Sequence, residues 1–383
     1  AMNNETRKET QVLPKDVRCV GADDLTLSLF ENQYPVQPMG VSYNSYLILD
    51  EKVAVMDSVD ARAADEWLAK LAHELDGRSP DYLVISHMEP DHSGSILRLA
   101  EKYQEMKLVG NTKTFTMLRQ FFGAKAPTDD RLLEVGEGET LPLGAHTLHF
   151  MLAPMVHWPE VMVAYEETEK ILFSADAFGR FGSLGRTANA PWAPQARRYY
   201  YNIVGKYGAQ VQALLKKASA LEIKTVCPLH GPVLTGGALA EALRLYDLWS
   251  RWQSESPDDI LLAHASIHGN TARAAELLKQ KLEAKGARVT LCDLTTTEVS
   301  YAVANAFYCG KLVLACSTYD GGLFPPMEEF LSHLQAKGFR DRSVGLMENG
   351  SWAPAAARLM RAKLEEMKDL RVCGTVVSLR SAL

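Results

Sequence analysis

From Ile260 to the C-terminus, short apolar runs alternate with amphipathic stretches of helical length, and that rhythm restricts the last third of the chain to one architecture. The runs are Ile260 to Ala265, Val289 to Leu291, Lys311 to Cys316, Val344 to Met347 and Val372 to Val377. Between them lie Thr271 to Ala284, Met327 to Leu334 and Ala353 to Met367. Strands that are apolar on both faces need cover on both, and strand-helix-strand repeats supply it as a parallel sheet with right-handed crossovers. Upstream the pattern is β-rich. Ser45 to Leu49 and Val53 to Asp57 read as a hairpin about Asp50-Glu51-Lys52. His146 to Leu152, Val161 to Tyr165 and Ile171 to Ala175 read as further strands, with helical stretches at Ala61 to Leu75 and Ser95 to Lys102. A polar, proline-containing stretch from Asp247 to Asp259 separates the two patterns. It puts a boundary near residue 255 and gives domains 1–254 and 255–383, a length that two cores fill more readily than one.

Charge and cysteine usage remove several function classes. The net charge is −6 with no basic tract, and Arg197-Arg198, followed by three tyrosines, is too short to displace counterions from a phosphate backbone. Nucleic acid is therefore not an expected partner. No run approaches the ~20 apolar residues of a membrane span, and the polar start AMNNETRKET is no signal peptide, so the expected location is the cytoplasm. Ala1 before Met2 reads as a cloning remnant. The six cysteines are scattered with no CxxC, which predicts reduced, mostly buried thiols and no attached iron-sulfur or rubredoxin module.

Directly after the apolar run Tyr82-Leu83-Val84-Ile85-Ser86 the chain reads His87-Met88-Glu89-Pro90-Asp91-His92, four metal-ligating side chains within six positions. The run reads as a buried strand, so the four emerge together in the loop at its end. Two carboxylates that close repel each other and resist burial unless cations share the loop. Further ligand types stand at the ends of other apolar runs: His157 after Leu148 to Leu152, Asp176 after Ile171 to Ala175, and His230 after Thr225 to Leu229. Singly, each has a bland reading as a structural or exposed histidine, or as an aspartate capping a turn. Together they give one sheet edge seven ligands, enough for two ions with three terminal ligands each and Asp176 as the bridge. His73, His146, His149, His264 and His333 have no such company and read as structural or solvated.

In the second domain Ser266-Ile267-His268-Gly269-Asn270-Thr271 follows the first apolar run and opens a helix. Two hydroxyls, a flexible glycine and free amides at a helix N-terminus make an anion cradle without a cationic side chain, suited to the phosphate of flavin mononucleotide (FMN). The same turn also serves as an ordinary helix cap. Ser317-Thr318-Tyr319-Asp320-Gly321-Gly322 and Glu348-Asn349-Gly350-Ser351-Trp352 follow later runs, where ligand loops of open parallel sheets lie. Tyr319 and Trp352 are candidates either to flank an isoalloxazine ring or to pack against the protein.

The ligand order resembles that of the metallo-β-lactamase fold, HxHxDH followed by isolated His, Asp and His, but with Glu89 at the second position. A glutamate and an aspartate on separate metals make a harder, more anionic site than that of the usual zinc hydrolase, and suit iron. HxExDH with this downstream spacing resembles the flavodiiron proteins, as do GVSYNSYLILD (40–50), HMEPDHSG (87–94), SADAFGRFG (174–182) and RYYYNI (198–203), while residues 256–383 resemble flavodoxin. The resemblance implies an αββα metallo-β-lactamase-like sandwich followed by a flavodoxin-like doubly wound parallel sheet. It implies an oxidoreductase that reduces dioxygen to water, nitric oxide to nitrous oxide, or both. One iron would sit on His87, Glu89 and His157, the other on Asp91, His92 and His230, with Asp176 bridging; members of the family differ in whether the residue matching His92 binds metal. FMN would relay electrons from a rubredoxin-type donor, in a head-to-tail homodimer or a dimer of dimers. Tyr199 and Tyr200 are then candidates for proton delivery, or else core or interface packing. The chain stops at Leu383, where a flavodoxin begins its last helix, so one face of that sheet is expected to be incompletely covered. The competing reading is a binuclear zinc hydrolase with a flavodoxin-like accessory domain. A third, an electron-transfer protein on a degenerate metal scaffold, is disfavoured by the complete ligand set.

Overall fold

Asp50 to Lys52 turn the chain between Tyr46–Ile48 and Ala54–Met56, which pair antiparallel with Tyr46 opposite Met56 and Ile48 opposite Ala54. All six residues are buried, so the hairpin sits inside the molecule. In the computed structural model, which describes residues 13–383, it belongs to a six-stranded sheet in the order Val17–Cys19, Tyr46–Ile48, Ala54–Met56, Tyr82–Val84, Lys107–Gly110, Leu132–Glu134. The start of the chain, with Ala1 and the polar run after it, lies outside the described residues. A second six-stranded sheet follows in chain order: Thr140–Pro142, Thr147–Leu152, Met162–Glu166, Ile171–Phe173, Thr225–Cys227, Leu234–Thr235. The two share one core, in which Ile48, Met56, Val84 and Val109 meet Phe150, Met162, Ala164, Phe173 and Cys227. Each large side chain so buried contributes about 1.5–3 kcal/mol. Helices such as Ala64–Leu75, whose buried stripe is Trp67, Leu71 and Leu75 at four-residue spacing, complete the αββα layering.

Strand direction explains where the candidate ligands come together. Ala54–Met56, Tyr82–Val84 and Lys107–Gly110 are parallel, so Asp57 and the segment 86–92 leave the first sheet at one edge. In the second sheet Thr147–Leu152 and Ile171–Phe173 both run antiparallel to Met162–Glu166, and Ile171–Phe173 runs parallel to Thr225–Cys227. These three strands therefore point one way, and the segments carrying His157, Asp176 and His230 leave together. Met162 N donates to Ser86 O at 3.1 Å and joins the two edges.

The C-terminal sheet has the order Val289–Asp293, Ser256–Ala265, Cys309–Tyr319, Ser343–Asn349, Arg371–Leu379, all parallel, as the alternation predicts. Leu262, Ala315 and Met347 pack on Ala274 and Ala275 of helix Asn270–Glu283. Two elements differ from the sequence reading. Cys309–Tyr319 runs on through Ser317 and Thr318 and turns at Asp320-Gly321 into Gly322–Leu323, pairing Tyr319 with Gly322. Both turn residues have positive φ, 49° and 72°, the backbone that a two-residue hairpin turn demands. Helix Val299–Tyr308, whose small residues carry little periodic signal, also lies between the second and third strands of the chain order. The edge strand Arg371–Leu379 is exposed along much of its length, Cys373 and Val377 included.

The chain divides into two compact units, one of residues up to Tyr200 with Ala209–Tyr246, the other of Tyr201–Gly208 with Asp247–Leu383. The short segment is held in the second unit by Tyr201, stacked on Phe307 with centroids 3.9 Å apart, and by Asn202 Nδ2, which donates to Ser300 O at 3.1 Å. The polar stretch 247–259 is mostly regular structure: helix Gly236–Ser250 and strand Ser256–Ala265 leave only 251–255 between them. Arg198 is no surface charge either. It is buried, donates to Pro35 O at 2.7 Å and lies over the Phe181 ring. The six cysteines are thiols, four of them buried. Among the described residues no helix is long and apolar enough to cross a membrane.

Candidate functional site

Ser86 to Met88 follow the strand without regular structure, and Glu89 then begins the single helical turn Pro90–Ser93, with proline at a position whose missing N–H costs nothing. That turn swings Asp91 and His92 away from His87 and Glu89, so that the hexapeptide serves two neighbouring sites. On one side, His87 Nε2 and His157 Nε2 lie 3.3 and 3.0 Å from Glu89 Oε2, and 3.4 and 3.2 Å from Asp176 Oδ2. On the other, His92 Nε2 and His230 Nε2 lie 3.2 and 3.1 Å from Asp91 Oδ2, and 3.2 and 3.7 Å from Asp176 Oδ1. Asp176 thus turns one oxygen to each half. All seven residues named from the sequence are brought together, as two groups: His87, Glu89, His157 and Asp176, and Asp91, His92 and His230. Within each group the candidate ligand atoms lie within 4.8 Å of one another.

The donor set fits two cations. Both oxygens of Asp91 and Oδ1 of Asp176 are buried and accept no hydrogen bond among the described residues, a costly state for carboxylates unless positive charge lies between them. Burial pulls the imidazoles down, yet Asp91 and Asp176 outweigh it and hold His92 up at about 10, and hydrogen bonds to Asp176 and Glu89 hold His157 at about 9. Burial raises Asp176, and His92 and His87 more than reverse it, leaving this carboxyl well below the usual range. The pocket thus demands positive charge, and ions entering it displace these protons.

The backbone around the site is specialised. Ala175, just before Asp176, and Phe178, two residues after it, both have left-handed φ, 51° and 68°. Gly179 is required by close approach, since a Cβ there would stand 3.0 Å from Asp176 O, 3.4 Å from the Tyr199 ring and 3.5 Å from His230 Cβ.

Several residues that position the candidate ligands lie outside the set singled out from the sequence. Glu160 Oε1 accepts from His87 Nδ1 at 2.7 Å and from Met88 N at 2.8 Å. Ser42 O accepts from His230 Nδ1 at 2.7 Å, and Ser42 Oγ from Gly231 N at 2.8 Å. Asn44 Nδ2 donates to Pro228 O and Gly231 O at 2.8 and 2.7 Å, clamping both ends of the loop that carries His230. Asp57 Oδ1 accepts from Ser86 N at 2.7 Å. The one available signal was the string GVSYNSYLILD, which contains Ser42 and Asn44 but assigns them no task.

Tyr199 is buried against the cluster, its ring 5.5 Å from that of His230, and its hydroxyl has no hydrogen-bond partner among the described residues. Burial and the charges of Asp176, Asp91 and Glu89 keep that phenol protonated. Phe30 lies edge-on to His230 at 5.3 Å and Phe181 edge-on to Tyr199 at 5.2 Å, so apolar rings wall this side. Tyr200 is also buried and packs edge-on against Tyr246 at 5.1 Å.

In the second unit Ser266 to Gly269 leave strand Ser256–Ala265 and deliver the chain into helix Asn270–Glu283. Gly269 has φ 92°, nothing stands where its Cβ would be, and no side chain caps the helix that follows. Uncapped first-turn amides at an open glycine fit a phosphate. Ile267, His268 and Asn270 are exposed around it. Trp352 is 87 % exposed and Tyr319 45 %, so Trp352 in particular has not packed against the protein and remains available to a planar ring. Other side chains of these loops are engaged within the unit. Thr271 Oγ1 and Ser317 Oγ share a hydrogen bond of 2.8 Å, Thr318 Oγ1 accepts from Ala355 N at 3.0 Å, and Asn349 Nδ2 donates to Ser381 O at 2.8 Å. Ser351 Oγ meets Ser381 Oγ at 2.8 Å, and a Cβ on Gly350 would clash with Pro354 at 2.6 Å. At these positions backbone groups are what a ligand would meet.

Residues 41–231 match the family model described as ODP family beta lactamase. The chain is 27 % identical over 362 residues to a rubredoxin-oxygen oxidoreductase of Megalodesulfovibrio gigas, an alignment covering 91 % of this chain and 87 % of that one. It is also 27 % identical over 364 residues to an anaerobic nitric oxide reductase flavorubredoxin of Aliivibrio salmonicida, covering 92 % and 72 %. Among solved structures, the flavodiiron protein from Giardia intestinalis superposes with a TM-score of 0.86 at 26 % identity, covering 95 % of this chain and 91 % of the other.

Proposed function

Since the chain belongs to the flavodiiron protein family, we propose that it reduces dioxygen to water, nitric oxide to nitrous oxide, or both, with electrons from a rubredoxin-type donor passing through FMN to a pair of irons. The observation that carries the reading is Glu89: its Oε2 stands 3.0 Å from His157 Nε2 and 3.3 Å from His87 Nε2, the place a hydrolase of this fold gives to a third histidine. An oxygen donor there hardens one half to match Asp91 in the other.

Bound irons and flavin would supply the electron transfer to the gas. His87, Glu89 and His157 would hold one ion and Asp91, His92 and His230 the other, with Asp176 offering one oxygen to each. Glu160 and Ser42 O hold the Nδ1 protons of His87 and His230, which leaves each Nε2 free as a donor atom. Phe30 and Phe181 exclude bulk water from the wall beside His230, and the Tyr199 hydroxyl keeps a proton there for reduced oxygen atoms to take up. Tyr200, behind Tyr246, is assigned a packing role. Backbone amides from Gly269 into the first turn of the next helix would bind the FMN phosphate, with Trp352 and Tyr319 against the ring. Head-to-tail pairing of two copies, flavin of one to metals of the other, belongs to the same reading.

Metal and flavin content of anaerobically purified protein is the test, followed by mixing the reduced protein with each gas. About two irons and one FMN per chain, with gas-dependent reoxidation of the flavin, are expected. Zinc without flavin, and hydrolysis of an ester or thioester, would replace this reading with the hydrolase.

A further inference from the structure

We propose that Glu160 makes the two halves of the metal centre unequal, its buried carboxylate acting through His87 to strengthen the half of His87, Glu89 and His157 over the half of Asp91, His92 and His230. The inference rests on the ligand assignment above and adds to it an order between the two ions.

Glu160 is fully buried. One oxygen takes the hydrogen bonds from His87 Nδ1 and Met88 N, the other has no hydrogen-bond partner among the described residues, and Asn111 Nδ2 fixes the residue's own carbonyl at 2.7 Å. A full negative charge therefore lies directly behind one imidazole. It locks the tautomer that frees Nε2, and it makes that nitrogen a stronger donor by drawing on the proton at the far side of the ring. Among the described residues the other half has no carboxylate hydrogen-bonded to a histidine Nδ1. His230 Nδ1 meets a neutral carbonyl, Ser42 O, at 2.7 Å, and His92 Nδ1 has no hydrogen-bond partner among the described residues.

Charge points the same way. Glu89 and Asp91 give one negative charge to each half and Asp176 divides its own, while Glu160 adds a charge hydrogen-bonded to the imidazole of His87. When an ion loses an electron the added charge is better compensated beside Glu160. The ion on that side binds first, leaves last and is the first to be oxidised. Glu160 is thus a positioning and tuning residue, separated from any substrate by the imidazole it holds.

The test is anaerobic titration of the metal-free full chain with cobalt(II) against a competing chelator, read from the visible spectrum of the bound ion. Wild type should bind two ions in separable steps. A His230→Ala background isolates the first half and a His157→Ala background the second. Glu160→Gln keeps the shape and an acceptor for His87 while removing the charge. It should weaken binding about 10- to 100-fold in the first background and change it less than about threefold in the second. Glu160→Asp should recover part of the loss, and in the iron-loaded protein Glu160→Gln should narrow the gap between the two iron potentials. Equal losses in both backgrounds, or no loss in the first, would overturn the proposal while leaving the ligand assignment intact. A wild-type chain that binds fewer than two ions would overturn the assignment itself.

Discussion

Asn44→Asp is the sharpest probe of how the His230 loop is held. Asn44 is 1 % exposed, and its Nδ2 donates to Pro228 O at 2.8 Å, to Gly231 O at 2.7 Å and, more weakly, to the Tyr46 hydroxyl at 3.3 Å. Aspartate has the same shape but only acceptors when ionised, so two buried carbonyls would each face an oxygen at hydrogen-bond distance. An orphaned buried carbonyl costs about 1–3 kcal/mol. Tyr46 Oη still donates to Pro228 O at 2.7 Å and softens one of the two losses. The sum is about 2–5 kcal/mol, and at roughly 2–4 °C per kcal/mol for a unit of this size the midpoint should fall by roughly 4–20 °C. Differential scanning calorimetry of the metal-free protein measures the fall, and Asn44→Ala, which leaves room for water, should cost less. Because the loop carries His230, the variant should also loosen the ion of the Asp91 half while sparing the other half, visible as one weakened step in a cobalt(II) titration. A midpoint within about 3 °C of wild type, or equal weakening of both steps, would refute the clamp.

Three further outcomes follow from the same geometry. Glu89→His restores the nitrogen donor of a zinc hydrolase; iron retained per chain should drop and gas-dependent turnover vanish with FMN still bound, and unchanged turnover would remove Glu89 from the metal. Asn270→Ala combined with Thr271→Val should weaken FMN binding, measured by fluorescence recovery on dilution, and spare the metals. It should also cost roughly 1 kcal/mol because Ser317 Oγ loses its 2.8 Å partner. Burial lowers His146, but Asp16 at 2.6 Å from Nε2 and Glu166 at 3.0 Å from Nδ1 outweigh it and raise its pKa. A folded-state pKa above the unfolded value gives stability fully present below about pH 6.5 and lost as pH rises through the folded pKa. Wild type should therefore lose more midpoint temperature than His146→Gln between about pH 6 and 9; parallel curves would refute the reading.

The architecture was legible where the period of the chain was clean. Parallel strands buried on both faces announce themselves as apolar runs, which is why the parallel C-terminal sheet follows from alternation alone. What escaped were elements whose burial is uneven. Helix Val299–Tyr308 is built mostly from alanine, tyrosine and phenylalanine with buried serine at its start, so it has no polar face to mark a period. Cys309–Tyr319 extends into Ser317 and Thr318, residues that read as loop by composition. They stay in register because Thr271 and the helix beginning at Ala356 use their hydroxyls. The segment Tyr201–Gly208 joins the second unit through the stacked ring of Tyr201 and the side-chain amide of Asn202, contacts that no local pattern encodes.

The metal centre divides along a different line. Candidate ligands were readable because a histidine or carboxylate at the end of a buried strand has few other reasons to be there, and seven of them share one edge once strand directions are known. Their orientation was unreadable because it is set by partners that any residue type can supply. His230 is aimed by the backbone carbonyl of Ser42, and a carbonyl leaves no trace in a sequence. Glu160 is different: it is a side chain of ligand type, three residues after His157, in the turn just before the buried strand Met162–Glu166. Its place behind His87 follows only from Met88 N and His87 Nδ1 converging on one of its oxygens. A buried carboxylate with no cation of its own is costly, so its presence next to a candidate ligand is itself an argument that positive charge lies one imidazole away.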